Sequence, residues 1–115
     1  MQYVYKICST KEWAHATEVG FFLGSKVDIN DGFIHLSTIT QIEVTVSKHF
    51  AGQKNLLIIQ FDVKKLENKL KWEPSRDGDL FPHYYGNIKT NLEDKRFNLD
   101  LGINGIHKFP ENFFT

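Results

Sequence analysis

Apolar and polar positions change rhythm several times along the chain, and each rhythm predicts an element. Residues 2 to 8, QYVYKIC, are rich in aromatic and β-branched side chains and predict a strand. Tyr3, Tyr5 and Ile7 fall on one face of it, Val4, Lys6 and Cys8 on the other. Ser9 and Glu12 then stand at capping-box spacing, predicting a short helix to about Val19 that ends at Gly20. Trp13 and Ala16 fit its buried side. Residues 21 to 32, FFLGSKVDINDG, read mostly as loop with a short strand at the start, and close on an Asp-Gly turn signal. FIHLS, 33 to 37, predicts the second strand. Ile39, Ile42, Val46 and Phe50 recur at helical spacing, so a second helix is expected from the Thr38–Gln41 capping box to Gly52.

NLLIIQFDV, 55 to 63, is a continuous apolar run, the mark of a strand buried on both faces and therefore central. KLKWEP predicts a short strand ended by Pro74, and SRDGD a turn. LFPHYYGN, 80 to 87, reads as an aromatic loop bounded by Pro82 and Gly86. RFNLDL, 96 to 101, alternates and predicts a final strand at an edge. No element is assigned to the tail beyond it. The order, with two helices and several strands, is that of a single α+β domain over residues 1–115 and not of a regularly alternating parallel fold.

Composition narrows the function classes. The 115 residues suit one domain with a core that needs no staples. Fourteen basic and fourteen acidic residues cancel, which removes the electrostatic footprint expected of a duplex nucleic-acid binder. Only Arg76 and Arg96 are arginines, which argues against bidentate phosphate clamping. No apolar run is long enough to span a membrane, and the N-terminus lacks signal-peptide character. With Cys8 as the single cysteine, no internal disulfide is possible, and the cytoplasm is the expected compartment.

Two histidines stand where the rhythm would not put them: His35 inside FIHLS and His83 inside LFPHYYG. A ligand pocket formed by these two segments is expected. His35 can orient a ribose hydroxyl, or it can be a core histidine bonded to a backbone carbonyl. Ser37 can cap the following helix or sit beside a phosphate at its N-terminus. Lys6 can face the same cleft or snorkel at a sheet edge. Phe81, Tyr84 and Tyr85 can sandwich a base, with His83 adding a hydrogen bond, or Phe81 and Tyr85 can plug the core. A metal held by His35, His49 and His83 with Asp31 or Asp79 is the rival account of the histidines, but no H-x-x-x-H or C-x-x-C spacing backs it, and no metal is expected.

The blocks YKICSTKEW, DGFIHLST and LFPHYYG, in this order and spacing, are similar to a small bacterial family of uncharacterised proteins known as domain of unknown function 952. The resemblance covers residues 2 to about 90; the tail, 91–115, lies outside it. That family resembles the ADP-ribosyltransferase-like fold, a split antiparallel sheet around a nicotinamide-dinucleotide cleft, and is distantly similar to the RNA 2′-phosphotransferases through IHLS. The resemblance implies NAD, ADP-ribose or a ribose-phosphate group as ligand. His35, His83 and Glu73 would be catalytic residues, and Lys6, Ser37, Phe81, Tyr84 and Tyr85 would bind. Glu73 is the candidate for the late catalytic glutamate of the protein-modifying transferases of that fold, and Lys6 takes the position of the first-strand His or Arg of many relatives. The alternative is a non-catalytic module binding a nucleotide-like small molecule.

Overall fold

In a computed structural model, residues 2–115 are described, and they form an α+β domain of antiparallel strands. Strand β1 (Tyr3–Ser9) leads into helix α1 (Thr10–Val19). The capping box is present: Glu12 N donates to Ser9 Oγ at 3.0 Å, and Ser9 N to Glu12 Oε1 at 2.8 Å. Gly20 ends the helix at φ 96°, a left-handed conformation that costs glycine little. β2 (Phe21–Phe22) and α2 (Lys26–Asp31) follow, then β3 (Ile34–His35), α3 (Ile42–His49), β4 (Leu56–Asp62) and α4 (Val63–Leu66). The chain continues through β5 (Leu70–Pro74), β6 (Leu80–Tyr84), β7 (Ile88–Lys89), β8 (Glu93–Leu101) and β9 (His107–Lys108).

The strands make three antiparallel sheets: β1-β4-β8-β9, β3-β6-β5, and the short pair β2-β7. β4 is central, as its apolar run predicts, pairing with β1 on one side and β8 on the other. Both faces of the four-stranded sheet are covered. On one, Val4, Cys8, Leu57, Ile59 and Phe61 pack with Trp13 and Phe22, and with Ile34 and Tyr84 from the three-stranded sheet. On the other, Tyr5, Ile7, Ile58 and Leu99 pack with Ile42 and Val46 of α3 and with Phe113 from the tail. The alternation read from residues 3 to 8 therefore separates two cores rather than core from solvent. Truncating a side chain such as Ile58, which is wholly buried, should cost about 2–5 kcal/mol.

Several expectations are corrected. Residues 21 to 32 are not mostly loop, because α2 forms there. The aromatic segment from Leu80 is not a loop but β6, the central strand of its sheet. β8 begins at Glu93 and lies between β4 and β9 rather than at an edge. The second predicted helix starts four residues late. Thr38 N does donate to Gln41 Oε1 at 3.1 Å, but residues 39 to 41 form a turn, and Ile39 stays exposed. The tail is not bare of structure: it supplies β9 and seats Phe113 against Tyr5 and Phe97. No helix among the described residues is long and apolar enough to cross a membrane.

Candidate functional site

The site grows out of one proline. Leu36 N donates to the carbonyl of Pro82 at 3.0 Å, but Pro82 has no N–H to return the bond. The β3–β6 ladder therefore stops after His35. The chain turns instead to β1, where Ser37 and Tyr5 exchange both backbone bonds, at 2.8 and 2.9 Å. Counting back along the ladder from Leu36, the cross-strand pair His35–His83 is a non-hydrogen-bonded one, the kind whose side chains stand closest. Their imidazole centroids are 5.5 Å apart. Two histidines 48 positions apart in the chain thus share one outer face.

His35 N points away from β6, and a carboxylate meets it. Asp28 Oδ1 accepts from His35 N at 3.0 Å and lies 2.7 Å from His35 Nδ1. Asp28 Oδ2 lies 2.7 Å from Lys6 Nζ and accepts from Ser25 N at 2.8 Å. Lys6 also donates to the His35 carbonyl at 3.3 Å. Asp28 and Lys6 are both buried, at 1% and 4% exposure. Burial alone would raise the Asp28 pKa; the His35 hydrogen bond and the Lys6 charge outweigh it and hold the carboxyl at about 2. Gly24 makes room for this anchor: at φ 113°, a Cβ there would stand 2.8 Å from Asp28 Cβ. The other nitrogen of His35, Nε2, meets Asp31 Oδ2 at 3.0 Å.

His83 is held by the neighbouring strand. Its Nδ1 lies 2.8 Å from Glu73 Oε1, and Tyr85 donates its hydroxyl to the same oxygen at 2.7 Å. The Tyr85 and His83 bonds keep the Glu73 carboxyl below its usual pKa, and the Tyr85 hydroxyl is pushed up in return. Phe33 stacks on His83 at 4.1 Å and approaches His35 at 4.6 Å and Tyr85 at 5.4 Å. His83 Nε2 has no hydrogen-bond partner among the described residues, and it is not wholly buried, because no fully buried side-chain nitrogen or oxygen lacks one. A carboxylate-backed imidazole with its second nitrogen unpaired is equipped for proton transfer or for binding a hydroxyl.

The expected site residues divide. His35, His83, Glu73 and Tyr85 come together, with Lys6 joined to them through Asp28. Lys6 does not snorkel; it is the buried half of an ion pair. Ser37 is buried and donates to Thr45 Oγ1 at 3.1 Å, toward α3. Phe81 lies beneath Arg76, whose guanidinium carbon is 4.8 Å from the ring centre. Tyr84 turns to the opposite face of β6 and packs in the core. Burial pushes the Cys8 thiol up to about 12, which keeps it protonated at neutral pH. Among the described residues, no three His, Cys, Asp or Glu side chains are grouped to hold a metal ion. Two surface depressions lie elsewhere, one of about 190 Å³ between α3 and Phe109, the other beside Tyr3, Ile39 and Phe114.

Asp28 and Phe33 were not anticipated, and Asp31 was named only as a carboxylate for the rival metal account. One signal was available: Ser25 and Asp28 stand at S-x-x-D spacing, which marks a helix start. That Asp28 would also anchor Lys6 and His35 has no local signature.

Matched against known proteins, residues 7–92 fit the family described as "Protein of unknown function (DUF952)", and the chain belongs to it. It is similar to protein CC0527 from Caulobacter crescentus. The crystal structure of that protein matches at 42% identity and a TM-score of 0.88, covering 92% of this chain and 93% of the other. Its solution NMR structure matches at 42% identity and a TM-score of 0.82, covering 92% and 91%. That coverage carries the likeness past residue 92 into the tail. No curated protein matches the chain.

Proposed function

We propose that the paired-imidazole face binds a ribose-containing, nucleotide-like ligand, with NAD or ADP-ribose the leading members of that class, and that His83 is its proton-transferring group. The observation that carries this reading is the available Nε2 of His83, backed by Glu73 at 2.8 Å and set beside a second imidazole at 5.5 Å. A ribose offers vicinal hydroxyls, which suit two neighbouring imidazole nitrogens. Tyr85 is 36% exposed and offers a ring face, and Lys71 Nζ already stands 5.1 Å over it. A cationic pyridinium ring can take the place of that ammonium. The antiparallel split sheet fits the ADP-ribosyltransferase-like resemblance, and the scarcity of arginine weighs toward sugar and base contacts over phosphate clamping.

Glu73 stays ionised and aims at His83, so its part is to orient and support the imidazole. In transfer from NAD, His83 Nε2 would take the proton of an incoming hydroxyl or water as its oxygen bonds to the ribosyl carbon, while the bond from that carbon to the pyridinium nitrogen breaks and nicotinamide leaves neutral with the electron pair. A second reading, a binding module without turnover, is favoured by the closed Lys6–Asp28–His35–Asp31 array, in which every charge already has a partner. A thermal-shift screen with NAD and ADP-ribose, followed by detection of free nicotinamide, separates the two. Stabilisation plus nicotinamide release that is lost in His83→Ala supports transfer. Stabilisation without release supports the module. No shift with either ligand, at concentrations up to the millimolar range, sinks both.

A further inference from the structure

Resting on that reading, we infer that Asp31 is an internal latch: it occupies the one nitrogen of His35 that a ligand can reach, and it must leave before the site is fully open. The two carboxylates on His35 are not equivalent. Asp28 is buried at 1%, tied to Lys6, Ser25 N and His35 N as well as to the ring, and fixes Nδ1 permanently. Asp31 is 47% exposed and holds Nε2 by a single contact at 3.0 Å, four residues along the chain. Exposed pairs of this kind change an equilibrium by about fivefold at most, so a ligand oxygen or hydroxyl can displace Asp31, whereas none can displace Asp28.

The segment carrying Asp31 is tied at its backbone but loose at its side chains. α2 buries one side chain only, Asp28, while Val27 and Ile29 point to solvent at 55% and 62% exposure. Gly32, in a left-handed conformation at φ 85°, follows Asp31 immediately, and then comes Phe33, the ring stacked on His83. Gly32 N and Phe33 N both donate to the Asp28 carbonyl, at 2.9 and 3.2 Å, so the backbone stays closed and a swing of the Asp31 side chain is what frees His35 Nε2. The ionisable groups facing the His35 ring are Asp28 and Asp31 from α2, Lys6 from β1 behind Asp28, His83 from β6, and Glu73 from β5 behind His83.

The test compares the wild-type chain with Asp31→Asn, using Asp77→Asn, on the distant turn before β6, as a charge-matched control. Carbethoxylation of each histidine by diethyl pyrocarbonate at pH 6.5 is followed by peptide mapping, with exposed His15 as internal reference. In Asp31→Asn, His35 should react several-fold faster, with His15 unchanged, while Asp77→Asn should match wild type. Equal His35 rates in all three proteins overturn the latch, whatever the ligand results. The ADP-ribose dissociation constant should fall by roughly two- to fivefold in Asp31→Asn and stay unchanged in Asp77→Asn. An equal fall in both variants reduces Asp31 to bulk charge and also overturns the latch. If ADP-ribose binds none of the proteins but His35 is still unmasked, the latch stands and the ligand reading falls.

Discussion

The two carboxylate–imidazole pairs on this face are built in opposite senses. In Asp28–His35 the carboxylate is buried at 1% and the ring is 34% exposed; in Glu73–His83 the carboxylate is 35% exposed and the ring only 6%. The contact distances are nearly the same, 2.7 and 2.8 Å. What differs is which partner has lost its water. A buried carboxylate must be neutralised, so Asp28 recruits Lys6, and the pair becomes part of the framework. An exposed carboxylate needs no such compensation, so Glu73 is free to serve the ring it faces. Similar local geometry therefore produces an anchor in one place and an orienting contact in the other.

The largest expected effect breaks the anchor. Lys6→Met should destabilise the fold by about 3–5 kcal/mol in urea unfolding, because it leaves Asp28 buried without its ammonium. A loss below about 1 kcal/mol would show that Asp28 is better hydrated than its burial indicates. Next comes acid. Asp28 titrates at about 2 when folded against 3.8 when unfolded. Its contribution, about 2 kcal/mol, is thus complete above the unfolded value and fades as pH falls from about 4 toward 2. The Asp28→Asn variant should lack that component of the acid transition. If its stability between pH 4 and 2 falls as steeply as that of wild type, the anchor is not the titrating group.

The smallest effect on stability is expected from the other pair. Glu73→Gln should leave the urea midpoint close to wild type, yet lower the pH at which Tyr85 ionises, since Glu73 is what raises it. Ultraviolet difference titration of the phenol reads this directly. A large stability loss in Glu73→Gln would erase the contrast between the two pairs.

The residues legible in advance were those whose partners lie nearby in the chain. Ser9 and Glu12 cap each other across three positions, and Gly20 ends the helix they begin. The run 55 to 63 announces its own burial by apolarity alone. Lys6, His35 and His83 were singled out as unusual types in unusual places and Glu73 only through the family resemblance, and the fold does join them. α2 escaped because its one buried side chain is a charge, so no apolar stripe marks it. β6 was mistaken for a loop because Pro82 normally excludes a central strand. Here the missing N–H falls where β3 turns away to β1, so the sheet absorbs it.

By itself, then, the order of residues determined the caps, the central strand and the presence of two chemically uneasy histidines, because propensity, period and turn chemistry act over a few positions. Tertiary structure alone decided which carboxylate would be desolvated and which left in water. Burial depends on what the rest of the chain brings to a point in space: Lys6 to Asp28 across 22 positions, and Glu73 to His83 across a strand pair. The same acidic side-chain chemistry was assigned opposite tasks by the amount of solvent left around it.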